Sequence, residues 1–460
     1  MPKVTDIPAC PVSPAVRSSG RVTREYQISL ITPLFGGGVE AGAPDETMPI
    51  RGTSIRGQLR FWWRATRGAQ FADHCKLFIR HGEIWGTTEK ASPVEIAVSD
   101  VRVKPARSCA RYDWNEKARG GKGGWRLVWE APFADSPLSY ALFSFQGKQP
   151  ASRNGDPEEP PATFINTASF TLRLRYLKEL SEDVETAVWA WVNFGGLGAR
   201  TRRGCGALLC EELAPKNVGD LERWFRSGAF KVGGAVQDWP TMPDLVLVKK
   251  SEQTPIDAWK EVIGSLQKFR QGKEVGRNKG SGGRPGRSRW PEPETIRRVT
   301  AKRSFQHARL AHIPDDAFPR AEFGLPIVFH FQGQGEPPDS VLYPSNAPDG
   351  AARERMASPL ILKPLALANR QAVPIILRLV TPDVTEVQLR PANVSAAKAL
   401  NVATDTDLLA GKRLVPKLRD PALATYRDSP LKDSPDGSAI EAFLLFVRNT
   451  RNKDFEEITR

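Results

Sequence analysis

The sequence is 460 residues long, 40% of them hydrophobic, with 66 Lys and Arg against 52 Asp and Glu and a net charge of +14. That is enough apolar chain for two or three packed domains, and the positive excess calls for an anionic partner, nucleic acid first. No apolar run reaches the ~18 residues of a membrane span, the proline-rich opening is no secretory signal, and five cysteines without a C-x-x-C pair fit a reducing, cytoplasmic setting without disulfides.

Taken in order, residues 24–33 alternate polar and apolar like a half-buried strand and lead into a turn at Gly36-Gly37-Gly38. Thr53 or Ser54 is placed to cap a helix running to about Thr66. Residues 93–103 alternate again, and 110–162, rich in Gly, Pro and charge, read as an elaborated hairpin or long insertion. Residues 164–177 form a strand with Phe170, Leu172, Leu174 and Tyr176 on one face. Ser181 is expected to cap a second helix, with the apolar stripe Val184, Ala187, Val188, Trp191 and Val192. A glycine-rich loop (195–206) and a strand at 207–213 follow, completing a β-α-β-β-α-β, ferredoxin-like or RRM-like order.

The second half reads as helices near 218–228 and 256–270, strands at 243–250, 325–332, 358–366 and 373–380, and a closing amphipathic helix at 439–450. The division expected is a flexible N-terminus (1–20), a first domain (21–215) and a second α+β domain of similar kind (216–460), which carries a flexible basic segment at 271–293.

The charge is concentrated in three places. On the first helix Arg56, Arg60, Arg64 and Arg67 fall within an arc of roughly 80°, away from the face of Ile55, Leu59, Trp62 and Thr66. From Arg51 to Arg80 there are seven basic residues and one acid, Asp73, so local pairing cannot neutralise the row, and an anion with phosphates in series suits it. Trp63 is a candidate for base stacking, although core packing is the commoner use of such a residue. The loop 195–206 holds five glycines (Gly195, Gly196 and Gly198 among them) and Arg200, Thr201, Arg202 and Arg203, with no acid. Glycine permits close backbone approach to phosphate, and arginine adds forked donors. The spacing is neither a Walker A loop nor G-x-G-x-x-G, so a nucleotide cofactor is not expected. From Lys268 to Arg309 there are 13 basic and 3 acidic residues, a sequence-blind arm for RNA with Trp290 available to stack.

Catalytic signals are weak. His74, Cys75, His81 and Cys109 do not match a zinc spacing, and no metal or cofactor is expected. His307 and His312 are the residues that an acid–base ribonuclease would use.

The segments ITPLFGGG (31–38), RGTSIRGQLRFWWRA (51–65) and NFGGLGARTRRGCGAL (193–208) resemble the RAMP proteins of CRISPR systems, and most closely the first RAMP subunit of the type III-B Cmr effector complex. The resemblance covers about residues 24–210 and is weaker over 318–380. It implies an α+β fold of two ferredoxin-like (RRM-like) RAMP domains in tandem with long insertions. It also implies a non-catalytic subunit in the head of the complex, near the 3′ end of the guide RNA, with guide RNA, single-stranded target RNA and other RAMP subunits as partners. Carried over by position, Arg56, Arg60 and Arg64 match the arginines of the family's helix, and Gly195, Gly196, Gly198, Arg200, Thr201, Arg202 and Arg203 its glycine-rich loop; with Arg51 and Trp63 they are the expected RNA-binding set. The alternative is a metal-independent RAMP endoribonuclease that processes CRISPR transcripts.

Overall fold

The structure, a computed structural model, describes residues 20–40, 42–118, 123–228, 238–281, 286–304, 317–345, 353–384, 386–393, 396, 429–449 and 455–459. The N-terminal 1–19 and both His307 and His312 lie outside the described residues.

The first unit comprises strand β1 (Arg21–Leu30), helices α1 (Gly52–Ala65) and α2 (His74–Trp85), strands β2 (Glu95–Val103) and β3 (Ala168–Leu177), helix α3 (Ser181–Phe194) and the short strand β4 (Leu208–Leu209). Its antiparallel sheet runs β4-β1-β3-β2. The two-residue alternation works as anticipated on β3: Phe170, Leu172, Leu174 and Tyr176 are buried, while Arg173 and Arg175 face outward.

Neither expected helix cap is used. Helix α1 starts at Gly52 with Arg51 in the cap position, which puts Thr53 and Ser54 inside the first turn; α3 continues from a 3-10 turn (Lys178–Leu180), so Ser181 already lies within helix. Neither helix has a side-chain cap bond. Helix α2 was not foreseen. It is capped by Asp73, whose carboxylate accepts from the Lys76 N–H at 2.8 Å.

The second unit repeats the element order with β5 (Leu245–Val248), α4 (Pro255–Gln271), β6 (Leu360–Ala366), β7 (Ala372–Arg378), α5 (Ala439–Asn449) and a strand after the supposed last helix, β8 (Glu456–Thr459). Its antiparallel sheet runs β6-β7-β5-β8. The fourth strand of each unit therefore pairs with its first, and the first with its third. A three-stranded sheet (Ile327–Phe329, Ser340–Pro344, Val387–Pro391) and a hairpin (Ala110–Asn115 with Gly124–Trp129) are inserted in the second and first units.

The layers follow from which faces are apolar. Ile361, Val373, Ile375 and Val246 of the second sheet join α1, α3 and the inner face of the first sheet in one core. Leu362, Ile376 and Leu247 point the other way, into a second core with Trp259, Val262 and Phe269 of α4 and Phe443 of α5. The order is sheet, helices, sheet, helices. Helix α3 lies in the middle of it and is buried on nearly every side, from Val184 to Phe194 except Glu185.

The described part of 271–293 folds back on itself through Asn278 N–H to Arg287 O (2.8 Å) and Arg289 N–H to Gly276 O (3.0 Å). Trp290 is not offered for stacking. It is buried against Phe269 and donates its indole N–H to Arg270 O at 2.9 Å.

Candidate nucleic-acid interface

Helix α1 is wedged between the first sheet and α3, so two of its faces are apolar and only one strip is free to carry charge. Arg56, Arg60 and Arg64 occupy that strip and are half-buried. Arg56 donates to Val94 O at 2.8 Å, Arg60 reaches His81 Nε2 at 3.0 Å, and Arg64 lies 3.3 Å from the same nitrogen. Among the described residues none of the three has a carboxylate partner. Burial, and then the neighbouring Arg60, hold the Arg56 and Arg64 guanidiniums below their ordinary pKa. Burial, then Arg60 and Arg64, push His81 down to about 4, so at neutral pH the imidazole is an uncharged acceptor between two cations. The fourth member of the row, Arg67, is neutralised by Glu182 at 2.7 Å.

Trp63 departs from expectation. It is fully buried and donates to the Asp183 carboxylate at 2.7 Å, which also receives Arg80 at 2.9 Å. The indole N–H satisfies a buried carboxylate, and the ring presents no face to a base.

The glycines of 195–206 serve the fold. A Cβ on Gly195 would meet the Trp62 indole nitrogen at 2.5 Å, one on Gly196 the Gly206 carbonyl at 2.6 Å, and one on Gly198, where φ is +76°, the Phe35 carbonyl at 2.3 Å. The close approach is to this chain's own backbone. Thr201 to Arg203 form one 3-10 turn, and two of its arginines reach across to the second unit. Arg202 donates to Ser358 O, with its guanidinium 5.5 Å over the Phe61 ring of α1. Arg203 donates to Leu360 O at 2.8 Å and lies 3.5 Å from Phe323 O. Arg200, exposed, donates to Ala141 O at 2.7 Å and to Ser144 at 3.0 Å. Arg51 bonds to Gly37 O, and Gly36 abuts Ala199, so Arg51 and Arg200 flank one ridge.

The cations therefore form a continuous path. It runs from Arg56, Arg60 and Arg64 on α1, through Phe61 to Arg202 and Arg203, and on to Arg270 of α4, whose guanidinium stacks 5.4 Å from Phe323. Among the described residues Arg200, Arg202, Arg203 and Arg270 likewise have no carboxylate partner. Burial and then Arg270 hold Arg203 down to about 10. The open face of the first sheet is the opposite case. There Arg173 pairs with Glu25 (2.6 Å) and Arg21 with Glu95 (3.1 Å), and the outward residues of β3 include none of the aromatics on which an RRM stacks bases.

A family model described as RAMP superfamily matches residues 27–209. Over these residues the chain is similar to the RAMP superfamily. The match runs from the second half of β1 to β4, both arginine motifs included. Over 193 residues, 41% of this chain and 95% of the relative, the sequence is 26% identical to a Pyrococcus furiosus protein described as CRISPR system Cmr subunit Cmr1-2. A second relative from the same organism, Cmr subunit Cmr1-1, is 28% identical over 176 residues, 37% of this chain and 44% of the relative, so the match spans less than half of that protein. Among solved structures, apo Cmr1 from Pyrococcus furiosus is similar over 79% of this chain and 89% of that chain, at 18% identity and a TM-score of 0.41. A chain of the type III-B Cmr-beta complex bound to cognate target RNA is similar over 83% and 98%, at 11% identity and a TM-score of 0.43.

Sequence reasoning missed three residues of this region and its seam. His81 was legible: Leu77, His81, Ile84 and Trp85 have helical spacing. Arg270 falls at the end of the expected helix 256–270, where the sequence gives it no role beyond the basic stretch from Lys268 to Arg309. Lys363 left no signal, because a lysine in an apolar strand is ordinarily taken as outward-facing. Instead it is 1% exposed, donates to Gly195 O at 2.8 Å, and is pushed down to about 7 by burial. His74, Cys75, His81 and Cys109 do not come together, and no cluster of three metal-type ligands occurs among the described residues. None of the helices described is long and apolar enough to cross a membrane.

Proposed function

We propose that the chain is an RNA-holding, non-catalytic subunit of a type III-B CRISPR Cmr effector complex, built as two ferredoxin-like RAMP units in tandem. The repeated strand order of the two sheets supports the architecture. The observation that carries the function is the cationic path together with Arg200, seven guanidiniums without carboxylate partners among the described residues. Clustered like charges raise the energy of the folded chain unless an anion joins them, and a single-stranded RNA backbone supplies phosphates in series. The relatives' descriptions as Cmr subunits supply the system. In this reading the path helps hold target RNA beside the 3′ part of the guide in the head of the complex, next to other RAMP subunits, in the cytoplasm.

The test is binding of the purified chain to single-stranded RNA across a salt series, together with incubation with CRISPR repeat RNA in chelator. Tight binding that falls steeply with salt, with the RNA intact, is expected. A flat salt response would sink the proposal. Cleavage in chelator, abolished by changing His307 or His312, would replace it with the endoribonuclease reading.

A further inference from the structure

The hairpin Ala110–Asn115/Gly124–Trp129 carries two tryptophans that the core does not use. Trp114 and Trp125 are direct cross-strand partners, with ring centroids 5.3 Å apart and an edge-on angle of 79°. Both are only partly buried and belong to neither core, unlike Leu127 and Trp129 of the same hairpin. The Trp114 indole N–H is out of contact with water and has no hydrogen-bond partner. Such an orphaned donor is unfavourable, and a cross-strand pair acting only as a hairpin staple does not explain it.

Beside it lies a cavity of about 180 Å³ lined by Trp114, Trp125, Gln149, Ser152 and Arg153. That is below the roughly 300–1,000 Å³ of drug-sized sites and in proportion to a single planar ring system. The outer face of Trp114 is covered by the Arg153 guanidinium at 5.5 Å, tethered to Glu116 and itself 61% exposed. Indole, guanidinium and small polar side chains around this cavity make a platform for a heteroaromatic base.

The position of the hairpin names the source of that base. Tyr112, two residues before Trp114, donates to Gly147 O at 3.3 Å. The segment just before Gly147 holds Arg200, through Ala141 and Ser144, with the guanidinium 5.5 Å over Phe145. The hairpin thus lies on the same segment as Arg200, the chain neighbour of Arg202 and Arg203 on that path.

We infer that the Trp114–Trp125 pocket receives one unstacked base of the single-stranded RNA whose phosphates lie along that path. The inference rests on the RNA-binding reading above. The base takes the place of the Arg153 guanidinium on the indole face, and Arg153, swung outward, is free to meet an adjacent phosphate. The contact is sequence-tolerant, because every base has a π-face.

The test is photocrosslinking of a 5-bromouridine-substituted single-stranded oligonucleotide to the full chain, with peptide mapping, alongside affinity measured across salt. Crosslinks are expected within 110–129 or 149–153. Trp114→Ala should weaken binding about five- to hundred-fold with the salt slope unchanged, since stacking releases no counterion. Trp114→Phe keeps an aromatic ring beside Trp125 but loses the N–H and the second ring of the indole, so it should fold normally and still bind more weakly than wild type. RNA bound with wild-type affinity by both variants, or crosslinks confined to other regions, would overturn the pocket and leave the RNA-binding subunit standing. No binding of RNA by the wild type at low salt would overturn both.

Discussion

Changing Arg56, Arg60 and Arg64 together to Gln tests whether the α1 strip holds phosphates. The side chains are half-buried, and their hydrogen bonds go to Val94 O and His81, bonds that a glutamine amide can partly replace. Since none of the three has a carboxylate partner among the described residues, removing them orphans no buried acid, and the fold should persist. For single strands each neutralised phosphate contributes about 0.7 to the slope of log affinity against log salt. Losing three should lower the slope by about 2. Over a fourfold rise in salt the wild type should then lose about fifteen- to twenty-fold more affinity than the variant. His81 gives an internal check: with Arg60 and Arg64 gone its pKa should climb from about 4 part of the way to 6.5, burial remaining as the larger cause. The assays are filter binding at 50–200 mM salt and histidine proton NMR. A folded variant with the wild-type salt slope would show that these guanidiniums face no phosphate.

Three further outcomes follow from the packing. Gly196→Val should destabilise by about 1–3 kcal/mol or more, because its Cβ would press on the Gly206 carbonyl; chemical denaturation checks it, and unchanged stability with weakened RNA binding would restore a direct RNA role for this backbone. Trp63→Phe should cost about 1.5–3 kcal/mol by taking a donor from Asp183, while RNA affinity of the folded fraction stays at wild type. Lys363 has its pKa lowered from 10.5 to about 7, so between those values the unfolded chain binds more protons than the folded one. Stability should rise with pH through that window, by up to about 5 kcal/mol, with the full cost present below pH 7. Lys363→Met should flatten the rise in urea midpoints measured at pH 7 and 9.5, and an unchanged slope would refute the assignment to Lys363.

The amino-acid sequence by itself determined the local elements and where positive charge is dense. Period-two alternation placed β1, β2 and β3, period-3.6 stripes placed α1, α3 and α4, and the acid-free runs 51–67 and 195–206 marked the cationic motifs. These are properties of residues a few positions apart. What each side chain faces depends on residues a hundred or more positions away, and only the tertiary structure decided that. Trp63 became core because Asp183 sits across from it on α3. Arg67 left the free row because Glu182 reaches it, whereas Arg60 and Arg64 stayed unneutralised because the group opposite them is a histidine. The loop glycines proved to be close-packing positions against Phe35, Gly206 and Trp62, and Arg202 and Arg203 bridge to carbonyls some 156 residues on. Arg270, distant in sequence from α1, extends its cationic path because Arg203 reaches the Phe323 carbonyl and the Arg270 guanidinium lies over the Phe323 ring, a juxtaposition that no local pattern encodes.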